Sequence, residues 1–146
     1  MILLKEINED NFDACLALEV EESQKNFVAS NVYSLAQAWL YPENARPFAI
    51  YNDDIMVGFL MLDYDEAEKE CGIWRFMIDK GYQNKGYGKE AMKTVLEYIK
   101  SNPIFETIHL STVPDNDIAI KLYKNFGFLP TGEVDDDGEI IMVLNI

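Results

Sequence analysis

Apolar positions along the chain recur with two periods, and the breakers between them divide it into strands and helices. Leu3 to Ile7 reads as a strand. Asn11 to Val20 places Phe12, Leu16 and Val20 on one face of a helix begun by Glu9 or Asp10. Ser34 to Leu40 predicts a short helix that stops before Pro42. Two apolar runs, Phe48 to Tyr51 and Ile55 to Asp63, flank the turn-forming Asn52-Asp53-Asp54 and predict a hairpin. Cys71 to Ile78 is the next strand. Lys89 to Lys100 carries Met92, Val95, Leu96 and Ile99 at helical spacing, with Pro103 just past its end. Thr107 to Thr112 reads as a strand and Asn116 to Phe126 as a helix leaving through Gly127. Glu139 to Ile146 is a last strand after the turn Asp135-Asp136-Asp137-Gly138. Antiparallel hairpins mixed with strand-helix-strand units predict an α/β sandwich-type domain. No repeat, low-complexity tract or linker divides the chain, so residues 1–146 are expected to form a single domain.

Composition narrows the partners. Of 146 residues 49% are apolar, enough for a core. Twelve basic against 26 acidic side chains give a net charge of −14. That field repels nucleic acid and anionic membranes and favours cationic small molecules or basic partners. Met1 to Asp10 lacks the basic start and apolar middle of a signal peptide. The longest apolar-plus-glycine stretch, Ile55 to Leu62, is far short of a membrane span, so a cytoplasmic location is expected. Cys15 and Cys71 sit in no CxxC motif and are expected to be reduced packing residues.

The segment that carries chemistry begins with the strand Ile73-Trp74-Arg75-Phe76-Met77-Ile78. It passes through Asp79 to Tyr82 and Gln83-Asn84-Lys85-Gly86-Tyr87-Gly88 into the amphipathic helix. A loop with two glycines feeding a helix N-terminus gathers unpaired backbone N–H groups and the positive end of the helix dipole, which suits a phosphate. Glycine at 86 and 88 lets a ligand approach the backbone closely. Lys80, Lys85, Lys89 and Lys93 face a single acid, Glu90, over this stretch of an otherwise acidic chain. The same residues also suit a flexible turn and a solvated helix face. Neither a Walker loop nor a completed GxGxxG is present.

Gln83 to Gly88 resembles the [QR]-x-x-G-x-[GA] pyrophosphate loop of the GNAT superfamily of acyl-CoA-dependent N-acetyltransferases, in the same strand-loop-helix setting. The resemblance extends to Asn116, to Tyr123 two turns into its helix, and to Asn125-Phe126-Gly127-Phe128, which is similar to the superfamily's Y-x-x-x-G-F segment. Within the superfamily, the run from Ile73 to Lys89 and the E-E-S-Q of Glu21 to Gln24 resemble bacterial spermine/spermidine acetyltransferases. The resemblance implies a mixed, mostly antiparallel sheet with helices on both faces and acetyl-CoA as co-substrate. The N–H groups of Asn84, Lys85, Gly86, Tyr87, Gly88 and Lys89, in a loop opened by Gln83, would hold the CoA pyrophosphate. The preceding strand would splay at a bulge and pair with the pantetheine arm through Phe76, Met77 and Ile78, with the backbone near Phe76 or Met77 also facing the thioester oxyanion. Asn116 would bond pantetheine or neighbouring backbone; it equally suits a helix N-cap. Tyr123 would protonate the departing thiolate, and it equally suits a core aromatic packed on Leu122 or Phe126.

An alkylamine acceptor must lose a proton before it attacks. Many of these enzymes place a Glu on the strand before the loop, where this chain has Gly72-Ile73-Trp74-Arg75. The base is therefore open among Glu70, Asp63 and a water chain to solvent. Acidic residues cluster in Glu6 to Glu22, Asp53 to Glu70 and Glu133 to Glu139, with seven, seven and five of the 26. The first two regions border the acceptor cleft in such folds. Glu21, Glu22, Asp63 and Glu70 are candidates to pair with ammonium groups, and Trp74 or Tyr33 to offer a cation-π face. The competing reading is solvated surface, and turn formation accounts for Asp53-Asp54 and Asp135 to Asp137. The acceptor stays open among a polyamine, another small amine and a protein amine, and a non-catalytic acyl-CoA-binding module is the alternative of another class. A homodimer through the last strand, Ile140 to Ile146, is implied by resemblance alone. No metal site is indicated: His109 is the only histidine, lacks a partner at ligand spacing, and is expected to be a packed polar residue.

Overall fold

The computed structural model describes residues 1–146. In chain order it runs β1 (Ile2–Glu6), α1 (Phe12–Ala17), α2 (Asn31–Leu40), β2 (Ala45–Asn52), β3 (Ile55–Asp65), β4 (Glu70–Ile78), α3 (Tyr87–Lys100), β5 (Thr107–Thr112), α4 (Asp117–Asn125), β6 (Leu129–Val134) and β7 (Ile140–Asn145). The strands form one seven-stranded sheet in the order β1-β2-β3-β4-β5-β7-β6. Every neighbouring pair is antiparallel except β4 and β5. That parallel pair is joined by the α3 crossover, as a parallel connection requires.

Side-chain alternation on β3 divides the interior in two. Leu60 and Leu62 point to one face, where Met92, Val95, Ile99 and Tyr123 of α3 and α4 cover them. Phe59 and Met61 point to the other, under Cys15 of α1 and Leu35 and Ala38 of α2. Helices thus cover both faces, as the resemblance implies. Cys15 and Cys71 belong to opposite faces, which rules out a bond between them; both thiols are free and buried, and burial pushes them up to about 11 and about 12.

Three differences from the expected elements have physical causes. The first helix stops at Ala17, because Leu18 turns extended (φ −65°, ψ 137°) and Glu19 then pairs with the β4–α3 loop. The Lys80 N–H donates to the Glu19 carbonyl at 2.8 Å, the Glu19 N–H donates to Asp79 Oδ1 at 2.8 Å, and Lys80 Nζ meets Glu19 Oε1 at 2.6 Å. Cys15 takes the buried face, leaving Phe12 exposed. Asn11, rather than Glu9 or Asp10, holds the N-cap position but makes no side-chain cap bond; its Nδ2 donates back to the Glu6 carbonyl at 3.0 Å. The second helix starts at Asn31, three residues ahead of Ser34, since the Ser30 hydroxyl accepts the Tyr33 N–H at 3.1 Å. β6 is a strand that the apolar pattern does not announce: Pro130 and Gly132 interrupt it, all its residues are exposed, and it pairs irregularly at the sheet edge.

Candidate active site

The parallel seam is short. Glu70 to Ile73 of β4 pair with Thr107 to Leu110 of β5, and past that point the strands part company. The divergence begins at a bulge: Ile73 faces Leu62 and Arg75 faces Met61, so Trp74 is the extra residue on β4. From Trp74 to Ile78 the edge of β4 toward β5 lies open, as the resemblance implies. One close approach keeps this part of β4 in place on its other side. Gly58 lies opposite Ile78, and a Cβ there would stand 2.3 Å from the Met77 carbonyl oxygen.

Directly after β4 the chain makes a three-residue 3-10 turn, Lys80–Tyr82, capped by Asp79, whose Oδ2 accepts the Gly81 N–H at 3.0 Å. Asn84 (φ 63°) and Gly86 (φ 85°) then adopt the left-handed conformation and swing the chain into α3. The backbone N–H groups from Gln83 to Lys89 have no acceptor in the protein. Gln83 itself is anchored: its Nε2 donates to the Ile78 carbonyl at 2.9 Å and to Gln24 Oε1 at 2.8 Å, while Gln24 Nε2 donates to Gln83 Oε1 at 3.1 Å. Gly88 has room for a methyl group, 3.9 Å from Ile78 Cγ1, which accords with a loop pattern that takes Gly or Ala there. Consecutive unpaired donors at a helix N-terminus, beside an open strand edge, fit the diphosphate and amide-bearing arm of acetyl-CoA. The side chains of Lys85 and Tyr87 point elsewhere, Lys85 over the Tyr82 ring at 5.8 Å and the Tyr87 hydroxyl accepting from Asn52 Nδ2 at 3.1 Å. Lys85, Gly86, Tyr87 and Lys89 stand outside the cleft wall, so what they offer a phosphate is backbone.

The wedge opens into a cleft of about 900 Å³ lined by Phe76, Met77, Ile78, Gln83, Asn84, Gly88, Asn116 and Tyr123 among others. Asn116 caps α4, its Oδ1 accepting the Ala119 N–H at 3.4 Å, and also borders the cleft, so the two expected roles coexist. Tyr123 is buried against Phe128, yet its hydroxyl reaches the cleft and has no protein partner. Burial pushes its phenol up to about 12.

Across the cleft, the wall carries Glu21, Tyr33, Asp63 and Trp74, four of the residues singled out for an acceptor. Glu22 and Glu70 are not among them. Glu22 is 88% exposed and pairs with Lys25 at 2.8 Å, since the 3-10 turn Glu22–Gln24 rotates it outward. Glu70 is held at the start of β4 between Asp65 and Thr107, below the divergence. The Trp74 ring already has a cation nearby, the Arg75 guanidinium at 5.5 Å.

The pattern of the sequence missed Arg75, Gln37, Asp135, Asp137 and Glu139, all of which line the same cleft. Arg75 Nη2 donates to Gln37 Oε1 at 2.5 Å and Nη1 to the Trp74 carbonyl at 3.0 Å, while Nε is buried without a partner. Burial lowers the Arg75 pKa from its usual value, opposed by Glu139 and Tyr33. Asp135, Asp137 and Glu139 bring carboxylate oxygens within 4.8 Å of one another. Glu139 is raised above the ordinary carboxyl range, first by burial and then by Asp135 and Asp137, with Arg75 opposing. The folded state therefore binds this proton more tightly than the unfolded chain, so the penalty grows as pH rises through its titration. The signal was present as the third acidic cluster, but only the β6–β7 turn brings it over the cleft.

Comparison with known proteins agrees with this geometry. The profile of the acetyltransferase (GNAT) family matches residues 6–128. The chain is 36% identical to a probable spermine N(1)-acetyltransferase of Bacillus subtilis subsp. natto and 35% identical to a spermine/spermidine N(1)-acetyltransferase of Bacillus subtilis strain 168, with 97% of this chain and of each relative covered. Among solved structures, spermidine N-acetyltransferase from Vibrio cholerae in complex with CoA and spermine superposes with a TM-score of 0.79 at 15% identity, over 99% of this chain and 95% of that one. An aminoglycoside acetyltransferase in complex with coenzyme A gives 0.82 at 16% identity, over the same shares. Loop, splayed strands and buried tyrosine thus occur in a chain that belongs to the acetyltransferase (GNAT) family.

Proposed function

We propose that this acetyltransferase moves the acetyl group of acetyl-CoA to a primary amine of a small polycation, spermidine or spermine, by direct attack in a ternary complex. The observation that carries the acceptor is the wall of the cleft: Glu21, Asp63, Asp135, Asp137 and Glu139 against Lys25 and Arg75. A chain of ammonium groups complements that field, and the names of the two Bacillus subtilis relatives support it.

In this reading the open N–H groups of Gln83 to Lys89 hold the diphosphate, and the free edge of β4 at Phe76, Met77 and Ile78 aligns the pantetheine arm. Backbone N–H groups there face the thioester oxygen as it gains charge. Tyr123 donates its proton to the departing sulfur. Much of the acceleration comes from holding amine and thioester together in a desolvated site. The protein acts in the cytoplasm. The dimer implied by the resemblance meets a constraint, since β7 is paired on both edges within the chain and the free edge belongs to β6.

Thiol release from acetyl-CoA tests the proposal, with spermidine, spermine, putrescine, an aminoglycoside, amino acids and a peptide N-terminus as acceptors at low and high salt. The expected result is turnover confined to spermidine and spermine and weakened by salt, because screening reduces attraction between the cleft carboxylates and ammonium groups. Preference for the aminoglycoside, an amino acid or the peptide refutes the polyamine, and preference for putrescine refutes spermidine and spermine.

A further inference from the structure

We infer that His109 is the group that takes the proton from the acceptor amine. Gly72, in the middle of the parallel seam, pairs with His109 on β5 and with Asp63 on β3. A Cβ on Gly72 would stand 2.8 Å from His109 Cε1, 3.1 Å from His109 Nε2 and 3.4 Å from Asp63 Cβ. The imidazole edge thus occupies the space that a side chain at 72 would fill, with Asp63 on the far side. All three residues line the cleft, and neither ring nitrogen of His109 is hydrogen-bonded to the protein.

The chemistry separates His109 from its neighbours. The charged and titratable groups on the surrounding elements are Asp63 of β3, Glu70 and Arg75 of β4, Tyr123 of α4, Asp135, Asp137 and Glu139 of the β6–β7 turn, and Glu21, Lys25 and Tyr33 on the facing wall. The carboxylates favour an ammonium in its charged form. They attract the acceptor and at the same time oppose its deprotonation. Imidazole is the side chain suited to accept a proton near neutrality and release it to solvent.

A substrate ammonium gives one proton to His109, leaving a free amine whose lone pair forms the C–N bond to the thioester carbon. The tetrahedral adduct loses a second proton from nitrogen to solvent as the C–S bond breaks, and this balances the proton that Tyr123 gives to sulfur and later regains. His109 passes its own proton to solvent. The inference rests on transfer to an amine, whichever amine is the acceptor.

Five readouts test it, with spermidine as acceptor or, should spermidine be inert, whichever amine of the panel is turned over. His109→Ala and His109→Gln are expected to lower kcat/KM at neutral pH by roughly a hundredfold, the low end of general-base contributions. Acetyl-CoA affinity by calorimetry should stay within about twofold. The deficit should shrink as pH approaches about 10, where an alkylamine loses its proton unaided, and added imidazole should restore part of the His109→Ala turnover. Independently of any variant, the ring resonances of the sole histidine should shift when spermidine is added to the wild-type protein with CoA. A deficit that is absent, or is uniform across pH and unrelieved by imidazole, overturns the base, as do ring resonances that ignore the amine. Wild-type protein that acetylates no amine of the panel overturns the base and the transferase reading together, whereas an active wild type with an unimpaired His109→Ala overturns the base alone.

Discussion

At Tyr123 burial serves packing and chemistry together. The ring packs against Phe128 with centroids 6.0 Å apart, and the same desolvation that stabilises this contact keeps the phenol protonated to about 12. A phenol in that state has a proton to give throughout the range in which an amine is acetylated. Tyr123→Phe retains the packing and removes only the proton. Turnover should fall roughly a hundredfold while acetyl-CoA affinity by calorimetry stays within about twofold, and equal turnover in the variant would take Tyr123 out of the reaction. Residues of this kind were legible in the sequence because a short local pattern announces them: Gly86 needs its left-handed φ, Tyr123 follows Asn116 on one helix, and Gln83 opens the loop. Arg75 and Glu139 were not legible. No local pattern marks Arg75 on its strand, and Glu139 opens the last strand within an acidic cluster that suits solvated surface, until the β6–β7 turn brings that cluster over the cleft beside Arg75.

Among the elements, those whose boundaries depend on their own residues came out as expected. α3 has an unbroken apolar stripe and ends at Lys100 as expected, starting at Tyr87, two residues ahead of Lys89, and β5 spans Thr107 to Thr112 in sequence and structure alike. The segment after α1 did not, because its conformation is set by partners sixty residues away. Its capping box makes this concrete: Gln24 Oε1 accepts the Glu21 N–H at 3.1 Å and also the Gln83 amide, so a turn on the cleft wall and the Gln83–Gly88 loop share one side chain. Gln24→Ala removes the link while Gln83 keeps its bond to the Ile78 carbonyl. Both amide bonds to Gln83 and the Glu21 capping bond go with it; a loss of loop support of at least about 1 kcal/mol should raise the KM for acetyl-CoA by roughly fivefold or more, with little change in Tm. An unaltered KM would mean that the loop holds its shape alone.

At the scale of the molecule, the alternation of strands and helices was enough to predict the class of fold, and the resemblance its sheet type. The strand order was out of reach, because β6 hides its pairing behind Pro130 and Gly132. The order matters: β1 to β4 form one antiparallel set, β5, β7 and β6 another, and the sets meet only where Glu70 to Ile73 run beside Thr107 to Leu110. Such a junction also constrains the route by which the chain reaches its native state. The β2–β3, β3–β4 and β6–β7 pairs close through short turns, whereas the parallel contact waits for the whole α3 crossover to be laid down, at a higher cost in chain entropy. We predict that β4 and β5 join after the hairpin-connected strands β2, β3 and β4 have paired. In pulsed hydrogen exchange during refolding, amides bonded across that junction should gain protection after those between β2 and β3, and simultaneous protection would refute the order. The gap proposed to admit the co-substrate would then lie beside a late-formed part of the sheet, so a nascent chain would have no use for acetyl-CoA until its two halves have met.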